Sequence, residues 1–259
     1  MRDERYRRRD DYQNCWYKDM CDTYQCDGCH RACGKFTQTD YMFQMSDLPK
    51  SMWRSIAIDD SELSDRSAEV LNTIVSDTEY FVRNGFNLYL YGDPGTGKTS
   101  WAVKILNNYF ASVADRSAFT TRGLFVNVPS FMVDAKFKLT YKSQDYIEYL
   151  EEIKNCDVVV WDDVYTSSNE THYESQMLYS LINSRIFAKK CNIFTSNMSP
   201  DKLESVSERM ASRICNNSDC IEITGTDKRG QMLYTNFMNE WKEADSVEVD
   251  NDGTDTSSE

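Results

Sequence analysis

Residues 88–99 contain the sequence feature that most constrains the fold of this chain. An apolar stretch ends at Gly92, and Gly97-Lys98-Thr99 follows five residues later, which completes the pattern G-x-x-x-x-G-K-[S/T]. The glycines let the backbone turn its N–H groups toward a polyphosphate, and the amino terminus of the following helix favours negative charge. We therefore predict a phosphate-binding loop between a buried strand and a helix.

Every position of this loop is a candidate contact for a nucleotide such as ATP. Lys98 is expected to reach the β- and γ-phosphates, and the Thr99 hydroxyl to bind Mg²⁺. Lys98 is also expected to face solvent rather than the core. The predicted nucleotide-binding residues are Gly92, Asp93, Pro94, Gly95, Thr96, Gly97, Lys98, Thr99 and Ser100.

A second motif follows the apolar run at 158–161, where two adjacent carboxylates end the strand. A continuous apolar run is typical of a parallel strand that is buried on both faces. Asp162 is predicted to bind the Mg²⁺ shell together with Thr99. Asp163 is predicted to polarise the water that attacks the γ-phosphate.

Strands alternate with helical patterns from residue 86 to 223, which predicts five parallel strands joined by crossover helices. Leu71, Ile74 and Val82 recur at helical spacing, so one helix is expected over about 64–84. One further helix is expected from Ser199 to Ile214. Asn197 ends the predicted fourth strand, where ligands of open α/β sheets bind, so we expect it to sense the γ-phosphate or orient water.

Five of the nine cysteines lie between residues 15 and 33. Cys26-Asp27-Gly28-Cys29 forms a C-x-x-C turn, and Cys21 and Cys33 complete four thiolates for a tetrahedral Zn²⁺. Cys15 or His30 is an alternative ligand in place of one of these. The C-x4-C-x2-C spacing also fits an iron–sulfur cluster, so both metals remain open.

Composition limits the remaining possibilities. The net charge is −13, and the stretch 243–259 contributes −7 because it has seven acidic and no basic residues. The sequence shows no basic stripe that would indicate nucleic-acid binding. No apolar run approaches the ~20 residues that span a bilayer, and the charged start is unlike a signal peptide, so we expect a cytoplasmic protein.

The motifs together resemble those of AAA+ ATPases of the DnaC/DnaI helicase-loader type, in the version found in phages and mobile elements. The resemblance covers about 45–225. It is carried by the phosphate loop, the acidic pair and three further segments: Leu181-Ile182-Asn183-Ser184-Arg185, Thr195-Ser196-Asn197-Met198-Ser199 and Glu208-Arg209-x-x-Ser212-Arg213-Ile214. The cysteine cluster resembles the zinc-binding region of the DnaI branch, although its spacing differs.

This resemblance implies a protein that hydrolyses ATP, with low basal turnover, and helps place a hexameric replicative helicase on single-stranded DNA. ATP would lie between subunits, with Arg209 or Arg213 as an arginine finger and Arg185 as a weaker candidate. Too few residues follow the sheet for a carboxy-terminal lid. The implied organisation is a Cys-rich helicase-interacting region (1–40), a connector (41–60), an ATPase domain (61–242) and an acidic disordered tail (243–259).

The resemblance also suggests where single-stranded DNA binds. The helix after the second strand would face the axis of a loader spiral. Lysines there neutralise phosphates, and aromatic rings stack on bases. The candidates are Lys136, Lys138, Lys142, Phe131, Phe137 and Tyr141. Burial of the rings in the core is the competing interpretation.

Three other functions share the same motifs. One is a non-hydrolysing adaptor in which the nucleotide is only a conformational ligand, and Asp163 argues against it. An IstB-like ATPase that assists a transposase has the same ATPase core, and only the cysteine region separates it from a loader. A small nucleotide kinase would need an arginine-rich lid between Asp163 and Ser196, and the sequence contains no such run there.

Overall fold

The structure is a computed structural model that describes residues 33–53, 58, 60–140, 144–164 and 172–228, without side chains at 136–140 and 172–175. A five-stranded sheet forms its centre, in the order β2-β3-β4-β1-β5 with every neighbouring pair parallel. The strands are β1 Asn87–Tyr91, β2 Gly123–Asn127, β3 Val158–Asp162, β4 Cys191–Ser196 and β5 Asp219–Glu222. The predicted α/β fold is confirmed.

Helices cover both faces of the sheet. Their bounds are α1 Gly34–Met45, α2 Asp65–Ser76, α3 Thr78–Arg83, α4 Lys98–Ser112, α5 Val128–Thr140, α6 Gln144–Asn155, α7 His172–Phe187, α8 Pro200–Val206 and α9 Glu208–Ile214. Short 3₁₀ turns lie at Lys50–Met52 and Cys215–Asn217. In the described ranges no helix is both long and apolar enough to cross a bilayer.

Alternation along the strands builds two separate cores. In β3, Val158 and Val160 face the core that contains α1 to α4, whereas Val159 and Trp161 face the core that contains α5 to α9. Successive side chains of a strand point to opposite faces, so a strand buried on both sides is apolar throughout. This explains the unbroken apolar run before Asp162.

The stretch expected to act as a connector is largely part of the ATPase core. Cys33 caps α1 by accepting a hydrogen bond from the Phe36 N–H, and Phe36 and Phe43 are buried against α4. The Trp53 indole N–H donates to the Leu48 carbonyl at 2.7 Å. The aromatic residues of this stretch supply enough apolar surface to hold it on the sheet.

Two predicted helices are each divided in the structure. Asp77 leaves the helical conformation (φ −141°) and its carboxylate accepts from the Tyr80 N–H, so α2 ends and α3 begins there. Ser207 (φ −154°) separates α8 from α9, and there the backbone carbonyl of Ser207, not its side chain, accepts from the Met210 and Ala211 N–H groups. Ser and Asp favour helix caps over helix interiors, which explains both breaks.

Candidate nucleotide-binding site

The phosphate loop joins β1 to α4 at the carboxyl edge of the sheet. Gly92 has φ 143°, and a Cβ atom there would lie 2.3 Å from the Ile223 carbonyl oxygen, so the neighbouring strand requires glycine. Gly97, with φ 104°, precedes α4 without giving it a side-chain cap. The amino terminus of a 15-residue helix therefore keeps N–H groups for an anion.

Lys98 is buried, with 6% of its surface exposed, and the expectation of a solvent-facing side chain was wrong. Its Nζ donates to the carbonyl oxygens of Gly92 (2.9 Å) and Asp93 (2.7 Å). The ammonium therefore lies within the loop, because the loop itself offers acceptors for its charge. The positive charge of Lys98 is therefore held inside the phosphate loop.

Asp162 receives two hydroxyl groups on one carboxylate oxygen. The Oγ1 atoms of Thr99 and Thr195 each donate to Asp162 Oδ1 at 2.8 Å, which joins the start of α4 to β3 and β4. A carboxylate beside a hydroxyl is a donor set that suits Mg²⁺. Thr99 and Asp162, the two predicted Mg²⁺ ligands, are far apart in the sequence and are in direct contact in the structure.

Asp163 adopts a left-handed backbone conformation (φ 58°), which few residues other than glycine adopt. Its N–H donates to Thr195 Oγ1 at 3.0 Å. The Thr195 hydroxyl therefore accepts from Asp163 and donates to Asp162, which fixes its orientation. Strained backbone is typical of functional sites, and here it lies directly after the end of β3.

Asn197 follows β4 at the carboxyl edge, where the sequence placed it, and its side chain is exposed. The hydrogen bonds that join β4 to the acidic pair come from Thr195 instead. Thr195 is not among the site residues that the sequence predicts. The available signal was a hydroxyl residue near the carboxyl end of a buried strand, because this end of the strand lies at the edge of the sheet that carries the phosphate loop.

Residues 224–228 pack against the phosphate loop, and the sequence did not predict this contact. The Lys228 N–H donates to the Gly95 carbonyl at 3.2 Å. A Cβ atom on Gly95 (φ 82°) would lie 1.9 Å from Asp227 Oδ1, so the carboxylate fills the space beside this glycine. A side chain at position 95 is therefore excluded on steric and backbone grounds.

Glu62 fastens this segment. Its carboxylate accepts from the Thr226 N–H (3.3 Å) and Oγ1 (3.2 Å), and Lys228 Nζ lies 3.2 Å from Glu62 Oε2. The hydrogen bond from Lys228, followed by that from the Thr226 backbone, lowers the pKa of Glu62. The carboxylate of Glu62 is therefore charged at neutral pH.

Arg209 and Arg213 lie on α9 and converge on Tyr179 of α7. The Arg209 guanidinium stacks 3.8 Å from the centre of the Tyr179 ring, and Arg213 Nε donates to the Tyr179 hydroxyl at 3.0 Å. Hydrogen bonds from Arg213 and then Arg209 lower the pKa of Tyr179. Arg213 also lies 5.3 Å from the Phe187 ring, which is 70% exposed.

Arg185 is fully buried, so its candidacy as an interface arginine was wrong. Its Nε donates to Asn192 Oδ1 at 2.8 Å, and its Nη atoms donate to the carbonyls of Cys156 (2.9 Å) and Cys191 (2.6 Å). These acceptors hold the guanidinium inside the protein, where it joins α7 to the starts of β3 and β4. Its role is structural.

The predicted metal ligands Cys15, Cys21, Cys26, Cys29 and His30 lie outside the described residues, as does the side chain of Lys136. Cys33 is a free thiol that caps α1. Among the described residues no cluster of metal-ligating side chains occurs. Phe131 is buried against Tyr146 and Tyr149, so it offers no face for a base, in agreement with the competing interpretation that the rings belong to the core. The remaining DNA candidates, Phe137, Lys138, Tyr141 and Lys142, also lie outside the described side chains.

The parallel five-stranded sheet and the phosphate loop together identify this structure as a nucleotide-binding P-loop ATPase fold of the AAA+ class. The model of the bacterial DnaA ATPase domain matches residues 64–218, which is 155 of the 259 residues. The chain therefore belongs to the bacterial DnaA ATPase domain family. Comparison with curated proteins gives no significant match.

Several solved structures have a similar fold. A DnaC helicase loader superposes with a TM-score of 0.56 at 19% identity, covering 68% of this chain and 100% of that chain. DnaI superposes with a TM-score of 0.54 at 24% identity, covering 71% and 95%. A replication initiator DnaA bound to AMPPCP and single-stranded DNA gives 0.51 at 21% identity, covering 75% and 56%.

Proposed function

We propose that this protein is an ATP-dependent loader that binds the hexameric replicative helicase and helps place it on single-stranded DNA. The observation that carries this proposal is the superposition on a DnaC helicase loader, whose chain is covered over its whole length. DnaI, covered over 95%, supports the same comparison. At these identities the likeness concerns the fold, so the partner needs direct measurement.

ATP hydrolysis is the chemical part of the proposal. The loop residues 92–100 hold the triphosphate and Lys98 neutralises part of its charge, while Thr99 and Asp162 would hold Mg²⁺, which would offset the negative charge of the phosphates. The direct contact of Thr99 with Asp162 supports this pairing. Asp163 orients the attacking water, and Asn197 lies at the same edge to contact the γ-phosphate.

Self-association completes the site in this proposal. Arg209 or Arg213 of one subunit reaches the ATP of the next and neutralises charge as the γ-phosphate leaves. The exposed position of Arg209 on α9 supports an intermolecular role. Turnover is then low for separate chains and rises with protein concentration.

Complex formation with the replicative helicase of the same source tests the proposal. We expect co-elution of the two proteins, and ATP-dependent transfer of the helicase onto a single-stranded circle. Lys98→Ala serves as the nucleotide-deficient control, because it removes the loop ammonium, and we expect it to abolish transfer. Failure to bind any hexameric helicase, with binding to a transposase instead, would support the IstB-like alternative.

A further inference from the structure

A cavity of about 340 Å³ opens at the amino edge of the sheet, opposite the phosphate loop. Residues far apart in the sequence form its walls, namely α3, the end of α4 and the residues that precede β2, β3 and β4. Five basic and two acidic side chains line it, which leaves three positive charges in excess. They are Arg83, Arg116, Arg122, Lys189, Lys190, Glu79 and Asp157. We call this the amino-edge pocket.

Ion pairs build the floor of the amino-edge pocket. Asp157 carboxylate oxygens lie 2.8 Å from Arg122 Nε and 3.6 Å from Lys190 Nζ, so two cations surround one acid. Burial, and then the charge of Asp157, raise the pKa of Tyr109, whose hydroxyl donates to Asp157 at 2.7 Å. The Asp157 carboxylate therefore has two cations and one hydroxyl as partners, so one positive charge of this group is in excess.

The rim carries the cations that a ligand would meet first. Arg83 and Lys189 are exposed, and within the described part of the chain neither side chain forms an ion pair. A Cβ atom on Gly85 would lie 2.1 Å from the Lys189 carbonyl oxygen, so the two turns that carry these cations are in contact. Their proximity concentrates positive charge on a protein whose net charge is −13.

We propose that the amino-edge pocket binds the phosphate backbone of single-stranded DNA. Arginine forks and lysine ammonium groups suit phosphate oxygens, and neither reads sequence. The apolar part of the lining, Val82 and Val113, offers no hydrogen-bonding side chain to a base. This inference rests on the proposed loader function, which supplies the DNA, and it assigns that DNA to a place other than α5.

The position of the pocket permits ATP and DNA to bind together. Asp157 immediately precedes β3 and Asp162 ends it, so the strand separates the two sites by about 17 Å at ~3.3 Å per residue. DNA at the amino edge therefore leaves the phosphate loop open to nucleotide. One rigid strand is in contact with both sites.

The test is the salt dependence of binding to a fluorescent 20-nucleotide oligothymidylate in Arg83→Ala with Lys189→Ala. Both residues are exposed and without described ion pairs, so the variant leaves no buried acid without its partner. Two lost phosphate contacts flatten the slope of log K against log[salt] by about 1.4, at about 0.7 per contact. ATP affinity stays unchanged.

A matched control is Lys50→Ala with Lys202→Ala, which removes the same charge from exposed positions outside the pocket. The assignment is overturned if the pocket variant keeps the wild-type slope, or if the control variant flattens the slope by the same amount. So does a slope lost only in Lys136→Glu with Lys138→Glu, which places the DNA on α5. If polyglutamate binds the pocket as tightly as the oligothymidylate does, the occupant is an acidic peptide instead of DNA.

The outcomes separate this inference from the loader function. If the protein binds the helicase but the pocket variant keeps the wild-type salt dependence of DNA binding, only the assignment of DNA to the pocket is refuted. A wild-type protein with neither helicase binding nor salt-dependent DNA binding refutes both.

Discussion

The hydroxyl of Thr195 donates to Asp162 Oδ1 at 2.8 Å while it accepts from the Asp163 N–H at 3.0 Å. A single side chain on β4 therefore contacts both the carboxylate that ends β3 and the backbone of the residue after it. Because the hydroxyl proton is committed to Asp162, any change at Asp162 alters the hydrogen bond that positions Asp163. This relationship leads to the first prediction.

Thr195→Val should reduce ATP hydrolysis by about tenfold or more while nucleotide binding is retained. The isosteric methyl group leaves the Asp163 N–H without its acceptor, which costs about 1–3 kcal/mol of unfolding free energy when such a group is buried. Single-turnover hydrolysis, nucleotide affinity and thermal unfolding measure these effects. Thr195→Ser keeps the hydroxyl and serves as the control, and hydrolysis lost equally in both variants would contradict the proposed role.

Asp163→Asn should keep Mg·ATP binding and slow hydrolysis by about 10²-fold. The amide is isosteric and leaves Asp162 and Thr99 in place, but it cannot accept a proton from water. Nucleotide affinity and the rate of hydrolysis per bound ATP measure the two effects separately. If affinity falls and the rate per bound ATP stays normal, the roles of Asp162 and Asp163 are reversed.

Asp227→Asn should tighten ATP binding about two- to tenfold. The carboxylate lies beside Gly95, where its negative charge opposes that of a triphosphate. The expected gain should shrink as salt rises, because added ions screen the repulsion. Titration with a fluorescent ATP analogue measures the affinity. Glu69→Gln, on the exposed face of α2, removes one negative charge elsewhere and should have little effect.

Arg209→Ala should lower the assembled ATPase rate by about 10³-fold, and Arg213→Ala by less. Arg209 is exposed and stacks on the Tyr179 ring, whereas Arg213 is less exposed and its Nε donates to the Tyr179 hydroxyl, so Arg209 is the more accessible of the two to a phosphate. Mixing Arg209→Ala with Lys98→Ala subunits should restore part of the rate, since one variant supplies the loop and the other the arginine. No recovery on mixing would argue against a shared site.

The purified protein should contain about one zinc ion per chain, held by residues 15–33. Cys26→Ser or Cys29→Ser should release the metal and weaken helicase binding, while the ATPase rate is kept because both cysteines precede the described ATPase core in the sequence. Elemental analysis and helicase binding measure both effects. A brown iron chromophore would identify an iron–sulfur cluster instead, and a metal-free protein would contradict both metals.

The sequence by itself determined the local parts of this protein. Glycine spacing from Gly92 to Gly97 defined the phosphate loop, and the apolar run before Asp162 defined a strand buried on both faces. These features depend on backbone conformation and on side-chain alternation along a single element. Such features can therefore be predicted from neighbouring residues alone.

Tertiary structure alone decided which distant residues meet. Contacts of Thr195 with Asp162, of Asp227 with Gly95 and of Arg122 with Asp157 join segments that no local pattern relates. Packing also decided burial, because Arg185 and Arg209 are the same residue type and only the surroundings of each place one inside and the other at the surface. Local periodicity fixes the elements, but the free energy of packing between elements fixes which side chains share a site.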